Sequence, residues 1–426
     1  TNTLETRCIW IFLALAFGIA WTTALVIYFT GGLAASPMLW PDLGISLAVA
    51  LLAGPYMFSP AIANLLTRWI TREGWQDNHL EFRFGQTRGS WWLGWLLPPV
   101  LIFLGLAIYY LLFQGHYDPA LTTLSAALAQ QEAATGQAIG LSPWTVVLIQ
   151  LGQAFLLAPV LNGLSTFGEE FGWRAYLQPK LMPLGFRKAM LLMGVIWGLW
   201  HAPIIAMGHN YGLDYPGFPW SGILGMIWFT IIVGTIFGWL ALRGRSVWPA
   251  VIGHAMLNGF GATFLIFSAP GINDNPLLGP GPVGVVASLP FALLAAWLLI
   301  RGGEDSMTTV SRETLSSTLL ADSGDAMIYA RGLGKNFKEV QAVDGLDLSI
   351  PRGEVFGLLG PNGAGKTTTI RMFSALIAPS AGGAVVAGHP LGLEDREIRQ
   401  DVGLLTEAPG MYEQLSAERN LAFFAQ

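Results

Sequence analysis

The chain has 426 residues, 53% hydrophobic and only 12% charged, with a formal net charge of −5. So apolar a composition excludes an ordinary soluble domain for most of the length, and the acidic balance argues against a nucleic-acid partner. The single cysteine, Cys8, excludes an intramolecular disulfide and any multi-cysteine zinc site.

Charge is unevenly spread: about half of the acidic and basic residues follow Gly302, where the apolar runs stop. The expected organisation is therefore multi-domain. An all-α polytopic membrane domain occupies residues 1–301, a flexible Ser/Thr-rich linker 302–326, and a truncated α/β P-loop nucleotide-binding domain 327–426.

A hydrocarbon core about 30 Å thick needs roughly 20 apolar helical residues. By that measure about eight transmembrane helices are predicted, near 8–30, 43–67, 91–113, 144–177, 189–207, 219–242, 247–268 and 283–300. The first lacks the small-residue cleavage site of a signal peptide and is read as a span. Every Lys and Arg up to Arg301 falls on one side of this alternation, and the loops near 31–42, 114–143, 208–218 and 269–282 contain none. The positive-inside rule then makes the chain an integral protein, expected in the plasma membrane, with both termini cytoplasmic.

The fourth segment carries Pro159, which predicts a kink, and then Phe-Gly-Glu-Glu-Phe-Gly-Trp-Arg at Phe167–Arg174. A charge at mid-bilayer costs about 2.5–3.5 kcal/mol on insertion scales, so these residues call for a functional explanation. Glu170 and Arg174, four apart on one helical face, can neutralise each other, whereas Glu169 is rotated by about 100° toward another partner. The fifth span holds His201 before Pro203, and the seventh holds His254 and Asn258 four apart. A carboxylate with a histidine suits general-base activation of water, and a histidine with an asparagine suits an oxyanion. His79, His116 and His209 are read as solvated. Taken alone, a membrane histidine is more often a hydrogen-bond donor to a neighbouring helix than a catalyst; three such groups on successive helices favour one shared site.

Glu169-Glu170-x-x-x-Arg174, Trp197-x-x-x-His201 and His254-x-x-x-Asn258, in that order, resemble the intramembrane proteases that include type II CAAX prenyl endopeptidases and bacteriocin-processing or immunity proteins. The resemblance covers about residues 90–300, with Trp197 where phenylalanine is common. It implies that Glu169 and His201 activate water, that His254 and Asn258 hold the oxyanion, and that Glu170 and Arg174 support them. Glu169, His201 and His254 could also ligate zinc. The implied substrate is a membrane peptide or a prenylated protein tail, with water arriving through a cavity open to the cytoplasm.

Beyond the linker, strands are predicted at Met327–Ala330, Leu346–Ile350, Val355–Leu359, Ala384–Ala387 and Val402–Leu405, with a helix at Lys366–Ile377. Gly360-Pro-Asn362-Gly363-Ala-Gly365-Lys366-Thr367-Thr368 fits the phosphate-binding loop: glycines admit backbone amides to the phosphates, Lys366 reaches the β and γ groups, and Thr367 offers its hydroxyl to Mg2+. With Leu333–Phe337 and Val343–Leu348 this stretch resembles an ABC-transporter ATPase, which implies ATP with Mg2+, Phe337 against the adenine, and a permease or second ATPase subunit as partner. Glu407 stands where that family usually has glutamine. No signature motif or Walker B carboxylate follows in the sequence, so binding of ATP is expected without hydrolysis by this chain alone. Two further readings are an ABC-transporter subunit whose spans form the translocation path, and a self-immunity or binding protein without proteolysis.

Overall fold

The computed structural model describes residues 4–75, 78–136, 140–337, 340–405 and 416–424. The chain divides into two compact units, Thr1–Ser306 and Met307–Gln426.

The first unit is helical. Among the described residues six helices are long and apolar enough to cross a membrane: Thr6–Phe29, Leu47–Thr71, Thr87–Leu112, Pro143–Leu161, Trp220–Gly244 and Trp248–Phe267. The other two of the about eight expected fall short of that length among the described residues. The fifth predicted span is the helix α1 (Phe186–Trp200), which turns at His201 and resumes over Ala202–Ile205, and the eighth is the apolar stretch Leu289–Arg301 that opens the helix Leu289–Ser323. The fourth is segmented into α2 (Pro143–Leu161), α3 (Gly163–Gly172) and a wide π-turn at Trp173–Leu177. Pro159 explains the first break: it cannot donate to the carbonyl of Phe155, which instead accepts from Trp95 Nε1 at 3.0 Å.

Small residues set the helix spacing. Gly168 and Gly172, four apart, bring α3 onto the helix α4 (Met57–Thr71), and a Cβ on Gly172 would lie 2.3 Å from Pro60 Cβ and 2.5 Å from its carbonyl oxygen. Small-x-x-x-small spacing permits such an approach without a side chain to separate the backbones. Gly172→Ala is therefore expected to reduce the yield of folded, detergent-stable protein severely. Gly152→Ala, with nothing within 4 Å, should be neutral or stabilising by up to about 1 kcal/mol; size-exclusion profiles of the two compare them directly.

Basic residues gather at one end of this bundle. Lys180 Nζ lies 2.7 Å from Glu5 Oε2 and 3.0 Å from Glu73 Oε2. Arg187 donates to the carbonyls of Leu299 and Ile300 at 2.7 and 3.0 Å, and Thr87 Oγ1 to that of Gly244 at 3.3 Å. Burial raises the Glu73 carboxyl, and hydrogen bonds from Cys8, Lys180 and Thr71 outweigh it, holding it down to about 2. At the opposite end Tyr117 bridges Ser268, and Tyr211 donates to the carbonyl of Val283 at 3.2 Å. His116 is there too, paired with Asp274 at 2.6 Å rather than solvated as expected. His79 is part of the basic end, its carbonyl accepting from the Val247 N–H at 2.9 Å.

Residues 302–323, expected as a flexible linker, continue the helix Leu289–Ser323. The stretch contains no proline, and Leu315 and Leu319, four apart, cover Gly383 of the second unit, where a Cβ would meet Leu319 Cδ1 at 2.8 Å. That unit has β1 (Ala326–Phe337), β2 (Val340–Pro351), β3 (Ala381–Val386) and β4 (His389–Pro390) in one antiparallel sheet ordered β2-β1-β3-β4. Strands are absent at the predicted Val355–Leu359 and Val402–Leu405. No described strand lies alongside to complete their backbone hydrogen bonds, and Val355 and Leu405 are 99% and 97% exposed.

Candidate functional site

Helix α3 carries Glu169 and Glu170 as buried carboxylates. Glu170 is doubly engaged, with Oε2 3.2 Å from Arg174 Nε one turn on and Oε1 2.9 Å from Nδ1 of His254 on the helix α5 (Trp248–Phe260). The expected Glu170–Arg174 pair is present, and the contact to His254 is additional. The turn that carries Arg174 is the π-turn, and Asn64 Nδ2 donates to the Phe171 carbonyl beside it at 2.9 Å. Arg68 Nε in turn donates to Asn64 Oδ1 at 2.8 Å.

Glu169 points elsewhere, as its rotation on the helix requires. Its Oε2 accepts from Trp197 Nε1 at 2.8 Å. Trp197 contacts three further members of the set. Its carbonyl accepts from His201 Nδ1 at 2.8 Å, its ring lies 4.8 Å from the Arg174 guanidinium carbon, and it meets the His254 ring edge-on at 5.4 Å. A carbonyl can only accept, so His201 carries its proton on Nδ1 and leaves the Nε2 lone pair available. The early end of α1 makes this possible, because the His201 N–H turns to the Gly198 carbonyl at 3.1 Å. The next unclaimed carbonyl, that of Trp200, accepts from Tyr56 Oη at 2.7 Å.

Glu169, His201, His254 and Asn258 all line one cavity of about 460 Å3, together with Trp197 and Tyr56. Sequence reasoning missed several of its residues. His209, read as solvated, lines the cavity with Asn210. Trp197 was noted only as a replacement for phenylalanine, although its spacing of four from His201 already placed the two on one face. Nothing in the pattern marked Tyr56, which follows Gly54-Pro55 in an apolar run.

The three candidate zinc ligands fit a metal only in part. Both imidazoles have Nδ1 held by a partner and Nε2 free, the usual arrangement of a ligating histidine. Glu169, His201 and His254 do not, however, bring ligand atoms within 4.8 Å of one another. Among the described residues the one group that does is Glu5, Cys8 and Glu73, where Lys180 already serves as the cation.

In the second unit the phosphate-loop residues Gly360, Asn362, Gly363 and Gly365 lead into the helix α6 (Lys366–Phe373), whose first turn includes Thr367 and Thr368. Gly365 has φ +84° and sits so close to β2 that a Cβ would lie 2.3 Å from the Ala342 carbonyl oxygen, so only glycine fits. Lys366 Nζ donates to the carbonyls of Gly360 and Pro361 at 2.7 and 2.9 Å. Phe337 is exposed at the end of β1, with Lys335 Nζ 5.1 Å from its ring centre. Glu407 lies outside the described residues.

A helical, membrane-type unit with a cavity lined by Glu169, His201, His254 and Asn258, followed by a sheet-containing unit with a phosphate loop, makes up the chain. Comparison with known families agrees on both halves. Residues 144–260 match the family described as type II CAAX prenyl endopeptidase Rce1-like, and residues 343–426 match the ABC transporter family. Over the second part the chain is 40% identical across 108 residues to the probable multidrug ABC transporter ATP-binding protein YbhF of Escherichia coli, covering 25% of this chain and 19% of that protein. It is 42% identical across 102 residues to the daunorubicin resistance ATP-binding protein DrrA3 of Streptomyces coeruleorubidus, covering 24% and 32%. The chain thus spans between about a fifth and a third of these curated relatives. A solved bacterial Atm1-family ABC exporter with ATP bound aligns over 95% of this chain and 73% of its own at 15% identity, with a TM-score of 0.20, too low to define a common fold. The chain therefore combines a CAAX-protease-like membrane domain with an ABC-type ATP-binding module.

Proposed function

We propose that residues 1–301 form an intramembrane endopeptidase that hydrolyses a membrane peptide with water activated by Glu169 and His201, and that residues 327–426 bind ATP with Mg2+ through Lys366 and Thr367. The observation that carries the reading is the shared cavity lined by Glu169, His201, His254 and Asn258. Glu169 has one oxygen held by Trp197, which leaves the other for a water molecule, and His201 Nε2 can take the proton. As the water oxygen bonds to the peptide carbonyl carbon, the oxyanion accepts from the Asn258 amide and from His254 Nε2. For His254 to donate there while Nδ1 donates to Glu170 it must hold both protons, and the Glu170 carboxylate supplies the balancing charge. Collapse of the tetrahedral adduct then breaks the C–N bond and passes the proton to the leaving amine. Arg174, over the Trp197 ring and against Glu170, positions these groups without touching substrate.

The route is proposed without a metal, a reading supported by the spread of Glu169, His201 and His254, whose ligand atoms do not all lie within 4.8 Å of one another. With the purified protein and a fluorogenic membrane peptide, 1,10-phenanthroline at millimolar concentration is expected to leave the rate within twofold. Loss of activity restored by added zinc would overturn this route. Trp197→Phe keeps an aromatic ring and the backbone carbonyl but removes the pyrrole ring with the N–H that holds Glu169. A hydrogen bond to a charged group contributes about 1.5–3 kcal/mol, so kcat should fall about 10- to 100-fold with little change in KM. The decisive variants are Glu169→Gln and His201→Ala; cleavage that survives both would remove the hydrolase reading and favour a binding or immunity role.

The end of the bundle that carries Lys180, Arg187 and Arg243 is assigned to the cytoplasm. The phosphate-loop sequence supports this, since the chain passes Arg301 at that end before reaching the ATP-binding module, and ATP is a cytoplasmic nucleotide. An ABC permease or a second ATPase subunit is the proposed partner of that module.

A further inference from the structure

The break between α1 and the short helix Ala202–Ile205 sets where His201 points, and its hydrogen bonds show what holds it. In an unbroken helix the Trp200 carbonyl would accept from the N–H of Ile204, four residues on. That N–H turns instead to the His201 carbonyl at 3.1 Å, as does the N–H of Ile205 at 3.0 Å. A buried carbonyl left without a donor is costly. The Trp200 carbonyl takes its donors from two other segments, Tyr56 Oη at 2.7 Å and Trp21 Nε1 at the longer distance of 3.3 Å.

Tyr56 does more than fill this acceptor. Its ring centre lies 4.4 Å from that of Trp200, and three residues on, in the first turn of α4, Ser59 Oγ accepts from Trp200 Nε1 at 3.1 Å. Backbone and side chain of Trp200 are thus both held from one helical turn, and Tyr56, Ser59 and Trp200 are all at most 1% exposed. The Trp200 ring in turn stands edge-on to the His201 imidazole, 4.7 Å between centres at 89°. The segment that delivers Tyr56 is itself irregular. Leu52–Tyr56 is a π-turn in which Gly54 has φ −93° and ψ −108° and Pro55 has no N–H to give. Leu52, Tyr56 and Met57 line the same cavity as His201.

We propose that Tyr56 is a positioning residue of the hydrolytic site: with Ser59 it grips Trp200 and so keeps the imidazole of the next residue turned with Nε2 toward the cavity. This role rests on the reaction proposed above for His201. Tyr56 touches no reacting atom in it and acts through the residue before the histidine. A phenol that merely satisfied a stray carbonyl would, on removal, lower stability and leave the chemistry of His201 unchanged.

Tyr56→Phe deletes Oη and keeps the ring. On the fluorogenic peptide kcat is expected to fall about 5- to 30-fold with little change in KM. The same full-length protein in detergent is treated with diethyl pyrocarbonate, which acylates the unprotonated nitrogen of a neutral imidazole, and each histidine is followed by mass spectrometry of its peptide. Modification of His201 is expected to be at least threefold slower in Tyr56→Phe than in the parent, while that of His209, which lines the same cavity, stays unchanged. An unchanged kcat in an active parent, an unchanged or faster rate at His201, or equal slowing at both histidines overturns the proposal, since general loosening of the cavity would act on both. Ser59→Ala releases the Trp200 indole and keeps the phenol; it should slow His201 in the same way, and it carries the test if Tyr56→Phe does not fold. Modification needs no turnover, so a parent that cleaves no peptide yet shows the selective slowing would keep the positioning role and sink only the hydrolytic reading.

Discussion

Glu169→Gln and His201→Ala are each expected to lower peptide cleavage by about 10^2- to 10^4-fold, the range that a positioned general acid or base contributes. Glutamine preserves the side-chain volume and can still accept from Trp197 Nε1 through its amide oxygen, so the fold should survive while the proton acceptor is lost. Alanine at 201 removes both the base and the hydrogen bond to the Trp197 carbonyl, which leaves a cap of α1 unmade. If the two residues serve one proton-transfer step, the double variant should be scarcely slower than either single one, because effects within one catalytic unit are not additive. Multiplicative losses would instead mean that the residues act in separate steps. Rates for the parent and three variants, measured on one fluorogenic peptide with matched thermal stability, decide between these outcomes.

Arg174→Ala is the substitution expected to destabilise most. Its guanidinium and the Glu170 carboxylate both have completely buried side chains. Removing one member of such a pair leaves an uncompensated charge in low dielectric and costs about 3–5 kcal/mol. The loss extends to the site, since Glu170 also orients His254 and the guanidinium lies over Trp197. The double change Glu170→Gln with Arg174→Met removes both charges at similar volume, and replacing a whole buried pair is often close to neutral. Its thermal midpoint in detergent should recover most of the loss while activity stays low. Equal midpoints for Arg174→Ala and the parent would show that the pair does not stabilise the bundle.

Local patterns made much of the site legible. Glu170 and Arg174 were paired from their spacing of four, because the geometry of one helix turn is independent of everything beyond it. The π-turn that follows kept that contact while widening the turn that carries the arginine. The same local rule placed Trp197 next to His201 but could not say that its indole would reach Glu169, since that bond joins two helices 28 positions apart. Span counting did not foresee the turn at His201, where Pro203 withholds a backbone donor and the helix breaks before resuming over Ala202–Ile205. In the second unit the apolar runs Val355–Leu359 and Val402–Leu405 have β-like composition but no strand beside them, and a strand is not a property of one segment.

By itself the amino-acid sequence determined the division into a membrane unit and a phosphate-loop unit, the segregation of Lys and Arg to alternate loops, and the identity of the polar residues within apolar helices. These follow from composition and from periodicities that act over a few residues. The tertiary structure alone decided which glycines become helix contacts, that Trp197 joins Glu169, His201, His254 and Arg174, and that one cavity gathers Glu169, His201, His254 and Asn258. Each of those depends on packing between segments far apart in the chain, where a shift of one helix turn would leave the sequence pattern intact and disperse the site.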